Sequence, residues 1–277
     1  MKRSLGIGLA ALAILAAGGQ AQAAVAHDAK PRGAATAAGP GARGWQPGVE
    51  RAKRYARGRS GEVSFAIVDL EGDMHKLRAG GTAPSASVFK AMLLAAYLRK
   101  ADVRDRRLRD DERDLLRPMI QRSDDEAAST VDDIVGARRI DRLARDAEMR
   151  DWRYDRGTWG LSRTSARDQA RFFYYYERYV PARHEPFARK LLRSIVESQR
   201  WGVAQAQPDG WELFFKGGWA TATGRVNHQV AFLERYRHRV ALAILTEFNP
   251  SHDYGKRTLQ GVAERLLRGL PKLPRGD

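Results

Sequence analysis

The stretch Ser87-Val88-Phe89-Lys90 decides the fold, because it begins the most apolar helix that the sequence predicts, from Val88 to Leu98. Apolar residues run nearly all the way round this helix, so we expect it to be buried. Residues three apart share a helix face, which puts the Ser87 hydroxyl and the Lys90 amine within reach of each other. A desolvated amine can accept a hydroxyl proton during nucleophilic attack. The pair predicts a nucleophile with its own base; the alternative is a capping serine followed by a solvated lysine.

Strand patterns lie on both sides of this helix, near the two ends of the chain. Because strands at both ends enclose helices, they predict an α/β (α+β) fold: an antiparallel sheet built from the N- and C-terminal segments, with an inserted all-α subdomain at about 101–205. The predicted strands are Glu62–Leu70, Met74–Ala79, Trp211–Lys216, Asn227–Glu234 and Val240–Thr246, with flanking helices at Gln46–Arg57 and Asp253–Leu267.

The segment between these strands is mostly helical in pattern. Arg104–Asp146 is predicted as helices broken at Pro118 and Gly136, and a turn at Gly80–Pro84 precedes the apolar helix. Asp151–Arg163 has no clear period and holds two tryptophans and a tyrosine, so it is predicted as a loop. Two helices follow, at Ser165–Tyr179 and Glu185–Ser198.

The N-terminus predicts export. Residues 1–26 combine Lys2 and Arg3, a short apolar stretch and small Ala-x-Ala patterns, which is typical of a secretory signal peptide. Residues 27–44, rich in Ala, Gly and Pro, are predicted as a flexible linker, and 45–277 as a single domain. The mature chain has no apolar segment long enough for a transmembrane helix. With no cysteine in the chain, disulfides and lipid attachment are excluded.

The net charge of +16 is spread along the chain. For an exported protein it favours anionic cell-envelope polymers as partners; the alternative is that the charge serves solubility alone. No nucleic-acid-binding motif accompanies the basic residues, so nucleic acid is not an expected partner. The six histidines show no metal-ligand spacing, and neither a metal nor a cofactor is expected.

Two further motifs follow the Ser-x-x-Lys pair in order. Ser123-Asp124-Asp125 lies where one predicted helix ends and the next begins, and Lys216-Gly217-Gly218 ends a predicted strand. Together the three motifs resemble the Ser-x-x-Lys, Ser-Asp-Asn and Lys-Thr-Gly series of class A β-lactamases and penicillin-binding proteins. The resemblance also covers the stretches around Ser87, Ser123 and Thr164–Ala170, and spans about 45–267.

The resemblance implies a role for each matched residue. Ser87 would be acylated, Lys90 would act as base or proton relay, Ser123 would pass a proton to the leaving nitrogen, and Lys216 would contact a substrate carboxylate and tune the relay. The amides of Ser87 and Trp219 would form the oxyanion hole. The remaining candidate substrate contacts are Asp125, Gly218 and Arg225, the last being equally compatible with an ordinary exposed arginine.

The sequence departs from that family in four places. Asp125 replaces an amide donor with a carboxylate, and Gly217 lacks the hydroxyl expected there. The segment from Ser87 to Ser123 is short, so one wall of the cleft is expected to be missing. No glutamate lies between Glu148 and Glu177, where the deacylating base is expected, and neither Asp151 nor Asp155 sits in a matching motif.

Three functions follow from these matches and departures. The first is an exported serine hydrolase that forms an acyl-enzyme on Ser87 with β-lactams or D-alanyl-peptide-like amides and deacylates slowly. The second is a D,D-peptidase or penicillin-binding-type enzyme acting on peptidoglycan stem peptides. The third is a non-catalytic envelope-binding protein, which the changes at Asp125 and Gly217 favour and the retention of both serines and both lysines opposes.

Overall fold

The structure is a computed structural model that describes residues 44–222 and 224–272. The predicted signal peptide, 1–26, lies outside the described residues, as does all of the predicted linker except Gly44. The prediction of a single domain at 45–277 stays a prediction.

The main sheet is antiparallel and has the order β2-β1-β7-β6-β5. It joins the two ends of the chain, since N-terminal β1 pairs with C-terminal β7 along its whole length. This confirms the predicted fold class. A separate two-stranded sheet pairs β3 with β4. The strands are β1 Glu62–Val68, β2 Met74–Leu77, β3 Thr82–Pro84, β4 Arg163–Ser165, β5 Glu212–Ala220, β6 Val226–Arg235 and β7 His238–Glu247.

Helices cover the sheet and fill the segment between its two halves. The α-helices are α1 Val49–Arg57, α2 Lys90–Leu98, α3 Asp110–Gln121, α4 Asp125–Val135, α5 Ala137–Asp146, α6 Ala166–Tyr174, α7 Glu185–Arg193 and α8 His252–Leu267. Helices α1 and α8 pack together, and α6 packs on β1 and β7. The central strands β6 and β7 are therefore buried almost throughout, as strands covered on both faces must be.

Helix α2 is the centre of the core, with all nine of its residues buried. The helix is apolar on every side, as the sequence predicts, except for Lys90 at its first position. Because a buried ammonium is costly unless it is paired, its position fixes where polar partners must lie.

Two predicted boundaries are wrong. The break predicted at Pro118 does not occur: Pro118 lies inside α3, and its carbonyl accepts hydrogen bonds from the amides of Arg122 and Asp124. The proline costs α3 one backbone hydrogen bond without ending it, and the helix continues to Gln121, just before Ser123 takes a left-handed φ of 58°. The segment predicted as a turn at Gly80–Pro84 instead supplies β3, because β4 offers it a pairing partner distant in sequence.

Within residues 44–222 and 224–272, no helix is long and apolar enough to cross a membrane.

Candidate active site

Ser87 lies in a short 3₁₀ turn, Ala86–Phe89, that leads into α2. Ala86 has a φ of 44°, an uncommon value for a residue with a side chain. Strand β5 runs so close to this turn that a Cβ on Gly218 would lie 2.9 Å from the Ser87 amide nitrogen. Glycine at 218 therefore lets the strand approach the amide of the predicted nucleophile, and Trp219 follows immediately on that strand.

Lys90 is fully buried, and its amine has three partners. It donates to the Ser123 carbonyl at 2.5 Å, to the Ser123 hydroxyl at 3.2 Å and to Asp125 Oδ1 at 2.5 Å. Among the described residues no hydrogen bond joins the side chains of Lys90 and Ser87. The contact expected between them is not formed, because the Asp125 carboxylate attracts the ammonium more strongly than a neutral hydroxyl does.

Two opposing effects act on the pKa of Lys90. Burial lowers this pKa below its ordinary value, while the hydrogen bond and charge of Asp125 raise it in part. The balance favours an amine more easily deprotonated than an exposed lysine. Asp125 itself is 77% exposed on its side chain, so it links the buried amine to the open surface.

Ser123 connects the two lysines. It occupies the junction of α3 and α4, where Asp124 caps α4 by accepting from the Ala127 amide. Its hydroxyl accepts from Lys216 at 3.0 Å as well as from Lys90. Burial, followed by the charge of Lys90, lowers the pKa of Lys216 well below its ordinary value. One hydroxyl thus lies between two buried amines of weakened basicity, an arrangement suited to proton transfer.

The profile of the beta-lactamase enzyme family matches residues 110–270, more than half of the chain. The chain belongs to this family. The matched segment contains Ser123 and Lys216, whereas Ser87 and Lys90 precede it.

Solved structures of β-lactamases and of PBP-A share the fold at low sequence identity. A β-lactamase from Sphaerobacter thermophilus is 20% identical, with a TM-score of 0.71 over 82% of this chain and 98% of that one. PBP-A is 16% identical, with a TM-score of 0.71 over 82% and 96% of the two chains. A class A β-lactamase from Mycobacterium abscessus is 17% identical, with a TM-score of 0.67 over 80% and 99%. No curated protein matches the sequence.

This member of the β-lactamase family has a tryptophan beside Gly217. A Cβ at Gly217 would lie 3.3 Å from two ring atoms of Trp201, so the indole borders the space into which a side chain at 217 would project. Trp219 packs edge-on against Trp201 with ring centroids 6.0 Å apart, and 39% of Trp219 is exposed. Trp201 lies in no sequence motif and could not be selected from the sequence. Its position beside Gly217 arises only because the chain before β5 folds back on that strand.

Arg225 is not directed at the lysine pair. Its Nη1 donates to the carbonyl oxygens of Asn249 and Pro250, in the connection between β7 and α8. The structure therefore brings together Ser87, Lys90, Ser123, Asp125 and Lys216 with Gly218 and Trp219, and it assigns Arg225 a structural contact.

In this protein, aromatic side chains line the loop that is expected to carry a deacylating base in β-lactamases. Phe89 is surrounded by Trp152, Tyr154 and Trp159, with centroid distances of 5.1, 5.9 and 6.4 Å. The Lys90 amine lies 5.0 Å from the centroid of the Trp159 ring. Sequence analysis noted these aromatic residues but gave them no role.

The two aspartates of this loop have structural partners. Asp151 forms an ion pair with Arg167 at 2.7 Å, and Asp155 accepts hydrogen bonds from the amides of Gly157 and Thr158. Neither replaces the missing glutamate. Across the described ranges, no group of three or more His, Cys, Asp or Glu residues could hold a metal ion.

Proposed function

We propose that the protein is an exported serine hydrolase that forms an acyl-enzyme on Ser87 with β-lactam or D-alanyl-peptide-like amides and releases the acyl group slowly. Family membership and the fold support a serine hydrolase of β-lactamase type. One observation carries the proposed acylation: two buried lysines converge on the Ser123 hydroxyl, at 3.0 and 3.2 Å, and the amide of the neighbouring Ser87 faces Gly218 of β5.

The acylation step transfers one proton through the site. The Ser87 oxygen bonds to the substrate carbonyl carbon, and its proton passes to the unprotonated Lys90 amine. When the carbon–nitrogen bond breaks, the leaving nitrogen takes the Ser123 proton, and Lys90 restores it across their 3.2 Å contact. The amides of Ser87 and Trp219 would stabilise the oxyanion. For this step Lys90 must exchange its contact with Asp125 for one with Ser87.

Hydrolysis of the acyl-enzyme has no evident base. Asp151 and Asp155 are committed to structural contacts, and the loop presents aromatic rings to Lys90. A water molecule at Ser87 would lack a carboxylate to activate it, so the acyl group would persist. Export rests on the N-terminal sequence pattern, and the charge of +16 would favour association with anionic envelope polymers.

Labelling with a fluorescent penicillin tests acylation. The wild type is expected to retain the label through denaturing electrophoresis, and Ser87→Ala to lose it. Ser85→Ala is the matched control, since the Ser85 hydroxyl is buried without a partner and its loss should leave labelling intact. Equal labelling of Ser87→Ala would remove Ser87 as the nucleophile. Digestion of muropeptides would separate a D,D-peptidase from an enzyme specific for β-lactams.

A non-catalytic envelope-binding protein is the second candidate. The ion pair between Lys90 and Asp125 favours it, because an amine held by a carboxylate does not activate Ser87. That function predicts binding to isolated cell-wall material by wild type and Ser87→Ala alike, with no acyl-enzyme on either.

A further inference from the structure

A cavity of about 680 Å³ lies at the end of α2 that is remote from Ser87. Four segments line it: the end of α2, the connection from α2 to α3, helix α5 and the connection from α6 to α7. Ser87 immediately precedes α2, whereas Ala96 and Arg99 line the cavity at the other end of that helix. Helix α2 has nine residues, so its two ends lie roughly 14 Å apart. The cavity is therefore distinct from the candidate active site.

The cavity carries charge of one sign. Among the described residues that line it, none is acidic and six are arginines: Arg99, Arg104, Arg138, Arg139, Arg142 and Arg178. Asp146 and Asp105 pair with Arg99 and Arg104 from outside the lining, and both pairs are partly exposed to solvent. Exposed pairs of this kind are weak, so an anionic ligand can exchange with them. A cleft lined by cations concentrates positive potential and attracts anions.

Two of these arginines have their donors available. Within the part of the chain that the structure describes, Arg138 and Arg142 form no ion pair and no side-chain hydrogen bond, and both are exposed. They lie four residues apart on α5 and therefore share a helix face. Each guanidinium presents several N–H donors in a planar fork that matches the oxygens of a phosphate or carboxylate.

The stability of α5 does not account for these arginines. Arg138 and Arg139 lie in the first turn of α5, where no residue is acidic and Gly136 supplies no side-chain cap. Cations near the N-terminus of a helix interact unfavourably with its dipole, and like charges four residues apart repel each other. The arrangement costs the helix stability, and a bound anion would offset that cost.

The shape of the cavity favours phosphate groups joined by carbon spacers. Ala96, Leu143, Tyr179 and Val180 are buried and give it an apolar floor below the exposed arginines. Its volume is far larger than one phosphate or carboxylate group, so it can hold several linked groups. The oxygens of a phosphate are arranged tetrahedrally and can accept from arginines on different sides of the cavity, whereas the two oxygens of a carboxylate lie in one plane.

From these contacts we infer that the cavity at the end of α2 binds a segment of a cell-envelope polymer whose repeating units carry phosphate. The inference narrows the class of anionic polymer named under the proposed function, and it rests on the proposed export and not on acylation of Ser87. The phosphates contact the arginines, and the carbon spacers cover the apolar floor. Because the Ser87 site lies at the other end of α2, bound polymer leaves that site open.

Fluorescence anisotropy with a short labelled oligomer of glycerol phosphate tests the location. We expect binding at low ionic strength that weakens as salt is added. Arg138→Gln/Arg142→Gln should weaken binding about tenfold, because it removes two charged donors from the cavity. Arg237→Gln/Arg257→Gln is the matched control, since it removes the same charge from exposed positions on segments that do not line the cavity. An equal loss in both double variants, or no binding by the wild type, would overturn the inference.

Two further ligands test the chemistry of the partner. An oligomer of L-glutamate with the same number of charges should bind about fivefold more weakly than the phosphate oligomer. Arg138→Lys/Arg142→Lys keeps the charge and loses the planar forks, so it should lose part of that preference. Equal affinity for the glutamate oligomer would overturn the choice of phosphate. Binding to phosphatidylglycerol vesicles without binding to the oligomer would overturn the choice of a polymer in favour of a membrane surface.

The Ser87→Ala variant separates this inference from the proposed acylation. It should bind the phosphate oligomer as the wild type does, and Arg138→Gln/Arg142→Gln should be labelled by penicillin as the wild type is. Thermal unfolding should show a Tm for the arginine variant at or above that of the wild type, because cations are removed from the start of α5. Oligomer binding without penicillin labelling would overturn only the acylation. Labelling without oligomer binding would overturn only the polymer site.

Discussion

Asp125 forms an ion pair with Lys90, the buried lysine on which the proposed nucleophilic attack depends. Its carboxylate lies 2.5 Å from the Lys90 amine, and its charge raises the Lys90 pKa that burial otherwise lowers. An asparagine there would keep an oxygen for Lys90, remove the charge and add an N–H donor. Asp125→Asn is therefore expected to raise the acylation rate of Ser87 about tenfold, measured by stopped-flow with a chromogenic thioester.

The pH dependence of the acylation rate in Asp125→Asn shows the direction in which the Lys90 pKa changes. Without the carboxylate the Lys90 pKa falls further, so the rise in acylation rate with increasing pH should occur at lower pH than in the wild type. Asp124→Asn is the graded control: its charge also raises the Lys90 pKa, but Asp124 makes no hydrogen bond to Lys90 and asparagine keeps the helix cap, so a smaller shift is expected than in Asp125→Asn. An unchanged or reduced rate in Asp125→Asn would show that the ion pair does not limit the enzyme.

The burial of Lys216 leads to a separate prediction, which concerns the pH dependence of the unfolding free energy. Burial lowers its pKa in the folded state, so between that pKa and the ordinary value the unfolded chain binds more protons, and stability rises with pH. Lys216→Met removes this contribution. As the pH rises, the unfolding free energy of the wild type should therefore increase relative to that of Lys216→Met, by up to about 1.4 kcal/mol per pH unit.

Urea unfolding at pH 7, 8 and 9 measures that difference. Lys76→Met, at an exposed position of β2, should follow the pH dependence of the wild type. If the unfolding free energies of the wild type and Lys216→Met change with pH in parallel, Lys216 stays protonated in the folded protein.

Among the elements, the loop from 151 to 163 is the one that we expect to determine how long an acyl group persists. Its rings enclose Phe89, and Trp159 lies against the Lys90 amine while its indole N–H donates to Ser129. Trp159→Ala would open this wall to water and is expected to shorten the acyl-enzyme lifetime several-fold. Tyr154→Phe, which keeps the ring and loses only the bond to Asp132, should leave the lifetime unchanged. Equal lifetimes in wild type and Trp159→Ala would show that the wall does not exclude water.

Elements with strong periodicity could be predicted from the sequence, and junctions set by distant contacts could not. The apolar pattern of α2 and the strand patterns of β5 to β7 predicted the sheet and its central helix, and Gly136, with a φ of 71°, does separate α4 from α5. Pro118 proved a poor guide because the helix ends instead just before Ser123, whose backbone is fixed by tertiary contacts. Strand β3 depends on pairing with β4, which lies some eighty residues away.

In the candidate site too, some residues could be predicted from sequence motifs, and others are placed by contacts between distant segments. Ser87, Lys90, Ser123 and Lys216 could be selected because motifs mark them, and the fold brings them together. The pairing of Lys90 with Asp125, the indole beside Gly217 and the contacts of Arg225 with backbone carbonyls depend on how separate segments approach one another. Spacing along the chain carries no information about those approaches.

For the whole molecule, the two ends of the chain build one sheet and the helical segment supplies Ser123 opposite it. The proposed acylation requires both parts, because Lys216 comes from the sheet and Ser123 from the α3–α4 junction. A β-lactamase-type fold is thus joined to a site with an added carboxylate, an aromatic wall and no loop glutamate. That combination predicts a protein that is acylated and then releases the acyl group slowly.

Intact-mass spectrometry over time tests this central claim most directly. The protein is incubated with a penicillin, and in parallel with a thioester of N-benzoyl-D-alanine, then separated from free reagent and followed for hours. We expect a single adduct, mapped to Ser87, that persists after the reagent is removed and is absent from Ser87→Ala. Many turnovers of either reagent without an accumulated adduct, or no adduct with either, would contradict the account.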